Sequence, residues 1–152
     1  MSRHIDPARR VAASYPYHLE IATQFTDLDI IGHLNNIAIA RFYESARVRT
    51  NMRVFGEGFV SRENPMQTVL ADVHIRYLAE GYFPDPVMVG NAIGHVGNSS
   101  FRMHQALFQH GECIGISDAV MVVTTNGRPS TIPPGHRAAM EKLLMPSAQL
   151  AK

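Results

Sequence analysis

The sequence is poor in the features that classify a chain most quickly. One cysteine, Cys113, stands among 152 residues, which excludes an intramolecular disulfide and any multi-cysteine metal site. No apolar run approaches the ~18 residues of a membrane helix, the longest strong one being 119–123. An excess of either charge is lacking as well. Fourteen Lys and Arg against 13 Asp and Glu leave a net charge of +1, so there is no electrostatic footprint for nucleic acid. The opening residues carry His4, Asp6, Arg9 and Arg10 without the apolar stretch of a secretory signal. The eight histidines form neither an HExxH motif nor a helical i, i+4 pair, so no metal site is expected. The missing Gly-x-Ser-x-Gly elbow excludes a serine hydrolase of the α/β type. These absences point to a small domain of a reducing compartment, the cytoplasm.

What is present is an ordinary globular mixture, 45% hydrophobic and 18% charged, in a chain long enough to bury roughly 70% of its unfolded surface. Residues 1–16 read as a loose lead-in, 17–145 as one domain and 146–152 as a tail. Over 17–25, Tyr17, Leu19, Ile21, Thr23 and Phe25 alternate with polar residues, the period of a half-buried strand. Asp27, Asp29, Gly32 and two asparagines break that alternation and predict a loop. A helix is then predicted over 37–55, capped by Asn35 or Asn36 and ended by Gly56. Its apolar stripe is Ile39, Phe42, Tyr43, Ala46 and Thr50, with Arg41, Glu44 and Asn51 opposite. Four strands are predicted over 69–77, 87–96, 101–109 and 114–125, their short separators favouring antiparallel hairpins. A short helix over 134–144 closes the chain. The class is α+β, a five-stranded antiparallel sheet packed on one long helix. An uncovered sheet edge predicts self-association.

The densest polar cluster lies where strand gives way to helix. Asp29 has two readings there, an Asx-type cap of the loop or a reactive carboxylate beside the free amides of a helix start. His33 is either a catalytic helper or a packed structural histidine. Asn35 and Asn36 are helix caps or substrate contacts, and Gly32 allows close backbone approach. Glu44 reads as the ion-pair partner of Arg41 or Arg47. Cys113, without a motif around it, is a structural thiol.

The run Asp27-x-Asp29-x-x-Gly32-His33-x-Asn35-Asn36, continued by Arg41-Phe42-Tyr43-Glu44-Ser45-Ala46-Arg47, resembles the signature of hotdog-fold acyl-CoA thioesterases of the 4-hydroxybenzoyl-CoA type. The resemblance covers roughly 17–140 and implies a sheet wrapped around a long central helix. It implies a thioester hydrolase that turns an acyl-CoA into free acid and CoA, with coenzyme A as part of the substrate and no retained cofactor. It assigns Asp29 as nucleophile or general base, and His33 as a second catalytic candidate. Gly32, Asn35 and Asn36 become substrate-binding candidates, as do Ser99 and Ser100 in the turn where relatives often contact pantetheine or phosphate. Plant acyl-carrier-protein thioesterases use a histidine at the position of His33, but their asparagine two residues after the aspartate is Ile31 here. The resemblance also implies a homodimer or homotetramer. Two other readings stand beside it: a non-catalytic acyl-CoA-binding protein of the same fold, and an enoyl-CoA hydratase. The hydratase pattern Asp-x-Asn-Pro-x-His is absent.

Overall fold

The computed structural model describes residues 4–146. Its elements are β1 (Tyr17–Ile21), α1 (Asn36–Phe55), β2 (Met66–Tyr77), β3 (Val87–Val96), β4 (Ser100–Gln109), β5 (Glu112–Thr125), β6 (Arg128–Pro129) and α2 (Pro134–Glu141). Single 3-10 turns lie at Pro7–Arg10, Ala12–Ser14, Phe25–Asp27 and Glu57–Phe59. The strands form one antiparallel sheet in the order β1-β3-β4-β5-β2, and the two-residue β6 folds back on β5. This is the expected architecture, a curled antiparallel sheet around one long helix, with the short β6 as an addition.

Asn35 caps α1 by accepting a hydrogen bond from the Ala38 amide at 2.7 Å, and Gly56 ends it with φ at 98°. The stripe Ile39, Phe42, Tyr43, Ala46 and Thr50 is buried throughout. Asn51 is buried too and not on the outer face, because the helix continues against β2 and its amide donates to Thr68 Oγ1 at 3.0 Å. Beneath the helix runs a polar cross-strand row, Asn91, Gln105 and Ser117. Gln105 Nε2 donates to Asn91 Oδ1 at 2.7 Å and to the Tyr43 carbonyl at 3.0 Å, while Arg47 Nη1 donates to Gln105 Oε1 at 3.2 Å. The expected pairing of Glu44 is therefore replaced: Arg41 binds Asp27, and Arg47 turns under the helix to Gln105. Burial lowers the Arg47 pKa from its ordinary value, the nearby Glu44 charge opposing that shift.

Three sequence expectations change at the edges. β1 stops at Ile21, because Thr23 bonds the Asp85 carbonyl and the next residues wind into the turn at Phe25–Asp27, leaving Phe25 exposed. β2 keeps Val69, Val73 and Tyr77 at least 40% exposed, since it is an outer strand with only β5 beside it. α2 ends at Glu141, after which the chain bridges β3: the Ile93 amide donates to Leu143 and the Met145 amide to Ile93. That contact continues the β1 edge, whereas β2 has no strand on its outer side among the described residues.

The lead-in, as far as it is described, is packed and not loose. Tyr15 is buried with Ala92, Ala106, Phe108 and Ile116 on the sheet face opposite α1. Arg9 reaches Asp118 at 2.9 Å and donates to the Ser117 carbonyl at 3.2 Å. In the tail predicted over 146–152, residues 147–152 lie outside the described residues.

Candidate active site

Asp27 and Asn35 set the frame of the loop before α1. The Asn35 amide donates to the Asp27 carbonyl at 2.8 Å, and Leu28 bridges Leu34 like a one-rung hairpin. The Asp27 side chain is buried, receiving the Gln24 amide at 2.8 Å and the Arg41 guanidinium at 2.5 Å. It orders the loop. The five residues 29–33 then project as the tip.

Asp29 stands exposed on that tip. Its Oδ1 accepts the amides of Ile31 at 3.0 Å and His33 at 3.1 Å, and its own amide donates to the His33 carbonyl at 2.8 Å. This Asx arrangement fixes the carboxylate while Oδ2 keeps no hydrogen-bond partner among the described residues. Gly32 turns the tip with φ at 84°, a left-handed conformation suited to glycine. A Cβ there would meet nothing within 4 Å, so backbone conformation, not close approach, explains the residue.

Asp29, Gly32, His33 and Asn35 thus share one loop, which Asn35 joins to Asn36, the first residue of α1. The His33 ring does not touch the Asp29 carboxylate. It packs edge-on against Tyr82 with centroids 5.4 Å apart, and its Nδ1 lies 4.0 Å from Glu80. The Leu34 amide donates to Gly81 at 2.8 Å, bringing the 80–83 segment alongside. Nothing in the sequence couples that segment to the loop, because the contact spans more than forty residues. Asn35 spends its side chain on the cap. Asn36 and Ile37 begin the helix with amides that have no intrahelical acceptor. Ile30, Ile31 and Ile37 are all strongly exposed around the carboxylate.

Ser99 and Ser100 lie elsewhere. Phe101 packs near Phe55 at the far end of α1, and Arg137 of α2 donates to the Gly97 carbonyl at 2.7 Å. Twenty helical residues, about 30 Å, separate the two ends of α1. Within one chain these serines and Asp29 do not form one site. Cys113 donates to the Gly115 carbonyl at 3.4 Å, and burial raises its pKa, which suits a structural thiol. Among the described residues no cluster of three or more His, Cys, Asp or Glu is placed to hold a metal, and no helix is long and apolar enough to cross a membrane.

A curled antiparallel sheet closed on a long helix, with a polar loop at the helix start, is the hotdog architecture of thioester hydrolases. A family model described as Thioesterase-like superfamily matches residues 23–140, and the chain belongs to that superfamily. Among solved structures, the PA5185 protein from Pseudomonas aeruginosa is 26% identical with a TM-score of 0.81, covering 90% of this chain and 98% of its own. A Thermus thermophilus thioesterase complexed with coenzyme A and Zn is 29% identical with a TM-score of 0.74, covering 86% and 95%. A thioesterase superfamily protein from Jannaschia is 26% identical with a TM-score of 0.75, covering 86% of each chain. A search of curated proteins returned no match.

Proposed function

We propose that this chain hydrolyses acyl-CoA thioesters, with Asp29 as the catalytic carboxylate. The observation that carries the reading is the contrast within the aspartate pair. Asp27 is buried and spent on Arg41, whereas Asp29 is exposed, held by two amides through one oxygen, and free at the other. A thioester carbonyl gathers negative charge as it is attacked. The unpaired amides at the start of α1 suit that charge, a single such donor being worth about 3 kcal/mol in comparable sites. Asp29 either attacks the carbonyl carbon directly or takes a proton from the attacking water. In both routes the C–S bond breaks, the sulfur leaves as the CoA thiol, and water supplies the second oxygen of the acid. Coenzyme A enters as part of the substrate, a reading supported by the relative that binds it. His33 forms a wall of the site through Tyr82. Gly32, Asn35 and Asn36 shape its floor.

The same reading makes the active unit a dimer of β2 edges. β2 is long, exposes Val69, Leu70, Val73 and Tyr77, and has no strand on its outer side among the described residues, the kind of edge that pairs with a copy of itself. The isoleucines around Asp29 would be covered by the partner, and Ser99 and Ser100 would reach substrate only from another protomer. The test is release of free thiol from a panel of acyl-CoAs. Turnover that drops sharply in Asp29→Asn supports the assignment, and turnover at the wild-type rate in that variant refutes it.

A non-catalytic acyl-CoA-binding protein is favoured by one observation, the use of Asp29 Oδ1 as a loop cap. Saturable binding of acyl-CoA with no thiol release across the panel would establish it.

A further inference from the structure

We propose that Gln109 is a positioning residue of the site: its side chain clamps the 82–85 segment so that Tyr82 holds His33, and His33 holds Asp29. The inference rests on the acyl-CoA reading above. Gln109 ends β4 and is only 4% exposed. A side-chain amide carries the same donor and acceptor as a peptide group, and Gln109 turns both on one residue. Its Oε1 accepts the Tyr82 amide at 2.8 Å, while its Nε2 donates to the Tyr82 carbonyl at 2.7 Å and to the Asp85 carbonyl at 3.0 Å. Tyr82 is thereby paired as a strand residue would be, although it lies in the connection between β2 and β3. Thr23 Oγ1, just beyond β1, donates to the same Asp85 carbonyl at 2.9 Å. Both N–H groups of the Gln109 amide are spent on this segment, and releasing it would leave inward-facing polar groups unpaired.

The clamped segment bears on the loop that carries the carboxylate. The Tyr82 ring meets the His33 ring edge-on, and its hydroxyl donates to Glu80 Oε2 at 3.2 Å, the other Glu80 oxygen lying 4.0 Å from His33 Nδ1. His33 in turn holds Asp29 through backbone: its carbonyl accepts the Asp29 amide at 2.8 Å, and its amide donates to Asp29 Oδ1 at 3.1 Å. One line of contacts therefore runs from the sheet to the carboxylate, Gln109 to Tyr82 to His33 to Asp29. The loop needs it. Asp27 and Arg41 fix its base, but Ile30 and Ile31 at its tip are exposed and give the tip no packing of their own. A carboxylate that must meet a carbonyl carbon tolerates little displacement, and ~1 Å of misplacement can cost about 10²-fold in rate.

The test joins NMR of the His33 ring protons, identified by their loss in His33→Gln, to thiol release from acyl-CoAs. Gln109→Leu keeps the bulk and removes every hydrogen bond of the clamp. It should shift the His33 signals and lower kcat about ten-fold or more with little change in KM. Tyr82→Ala, at a half-exposed position, should do the same. In the double variant the loss should be no greater than in either single one, because both cut the same line. Unmoved His33 signals in Gln109→Leu, a shift with turnover at the wild-type rate, or additive losses in the double variant would each overturn the proposal. Should Gln109→Leu fail to fold, hydrogen exchange of wild type decides. The Tyr82 amide should then exchange about 10²-fold more slowly than an unprotected amide, and fast exchange overturns the clamp. The two readings fail separately. No thiol release from any acyl-CoA removes the hydrolase and leaves the His33 signals to support or overturn the clamp. Thiol release with unmoved signals keeps the hydrolase and removes the clamp.

Discussion

Arg41 Nη2 donates to Asp27 Oδ1 at 2.5 Å, tying the first turns of α1 to the loop that carries Asp29. Arg41 is half-exposed, but its partner carboxylate is almost wholly buried. Removing the guanidinium strands a buried charge whose other contact is the Gln24 amide. Arg41→Ala should therefore cost about 1–3 kcal/mol of stability, seen as a lowered midpoint in thermal unfolding. It should also reduce turnover, because the loop loses its anchor. Unaltered stability would mean that the ion pair contributes nothing net.

Asp29→Asn separates chemistry from folding. An asparagine oxygen accepts the Ile31 and His33 amides as the carboxylate does, so the Asx turn survives and the unfolding midpoint should hardly move. The group that attacks or accepts a proton is lost, which should lower kcat by about 10²–10⁴. A large fall in stability with unchanged kcat would reassign Asp29 to architecture alone.

On the other face of the sheet, Asp118 lies between His104 Nδ1 at 2.6 Å and Arg9 at 2.9 Å. Burial alone would raise its pKa, but the hydrogen bond from His104 and the charge of Arg9 outweigh that and bring it from 3.8 to about 2. A folded-state value below the unfolded one gives stability that is fully present above pH 4 and drains away as pH falls toward 2. Acid unfolding of wild type should steepen across that window, and Asp118→Asn should flatten it. Hydrogen exchange around Pro7–Arg10 should rise first, since Arg9 holds that turn to the sheet.

Gly94→Ala probes the same cluster by crowding it. A Cβ at Gly94 would lie 2.1 Å from His104 Nε2, and the ring cannot swing aside without leaving Asp118. The substitution should cost about 1–3 kcal/mol. In an Asp118→Asn background the cost should shrink, because the ring is then less firmly held, and a double-mutant cycle measures that coupling.

Much of the fold was legible because its signals are local. Alternation in β1, the short separators between β3, β4 and β5, the Asn35 cap and the Gly56 stop each depend on residues a few positions apart, and the stripe from Ile39 to Thr50 reports one helix face directly. The cap role of Asn35 followed from the same short range. What escaped depends on distant partners. Polarity put Asn51 and Arg47 on the wrong face or with the wrong partner, since Thr68 and Gln105 satisfy them from strands far along the chain. The 80–83 segment reaches the site from more than forty residues away, through the Gly81 carbonyl and the Tyr82 ring, which leaves no local pattern. Ser99 and Ser100 matched a motif, yet a motif carries no information about which end of a thirty-ångström helix a turn will occupy.

The exposed edge offers the most demanding test of a shared site. Val69 and Val73 are half-exposed on β2, so replacing both by lysine removes little buried apolar surface from the single chain. Lysine on an edge strand nonetheless opposes pairing with another edge, since two like charges would meet across the two-fold axis. The double variant should sediment near the 16.9 kDa of one chain while wild type sediments at twice that or more. Thiol release should disappear with the dimer, because the isoleucines around each carboxylate would lose the cover of the partner. Full turnover by a monomeric variant would show that one chain holds the whole site.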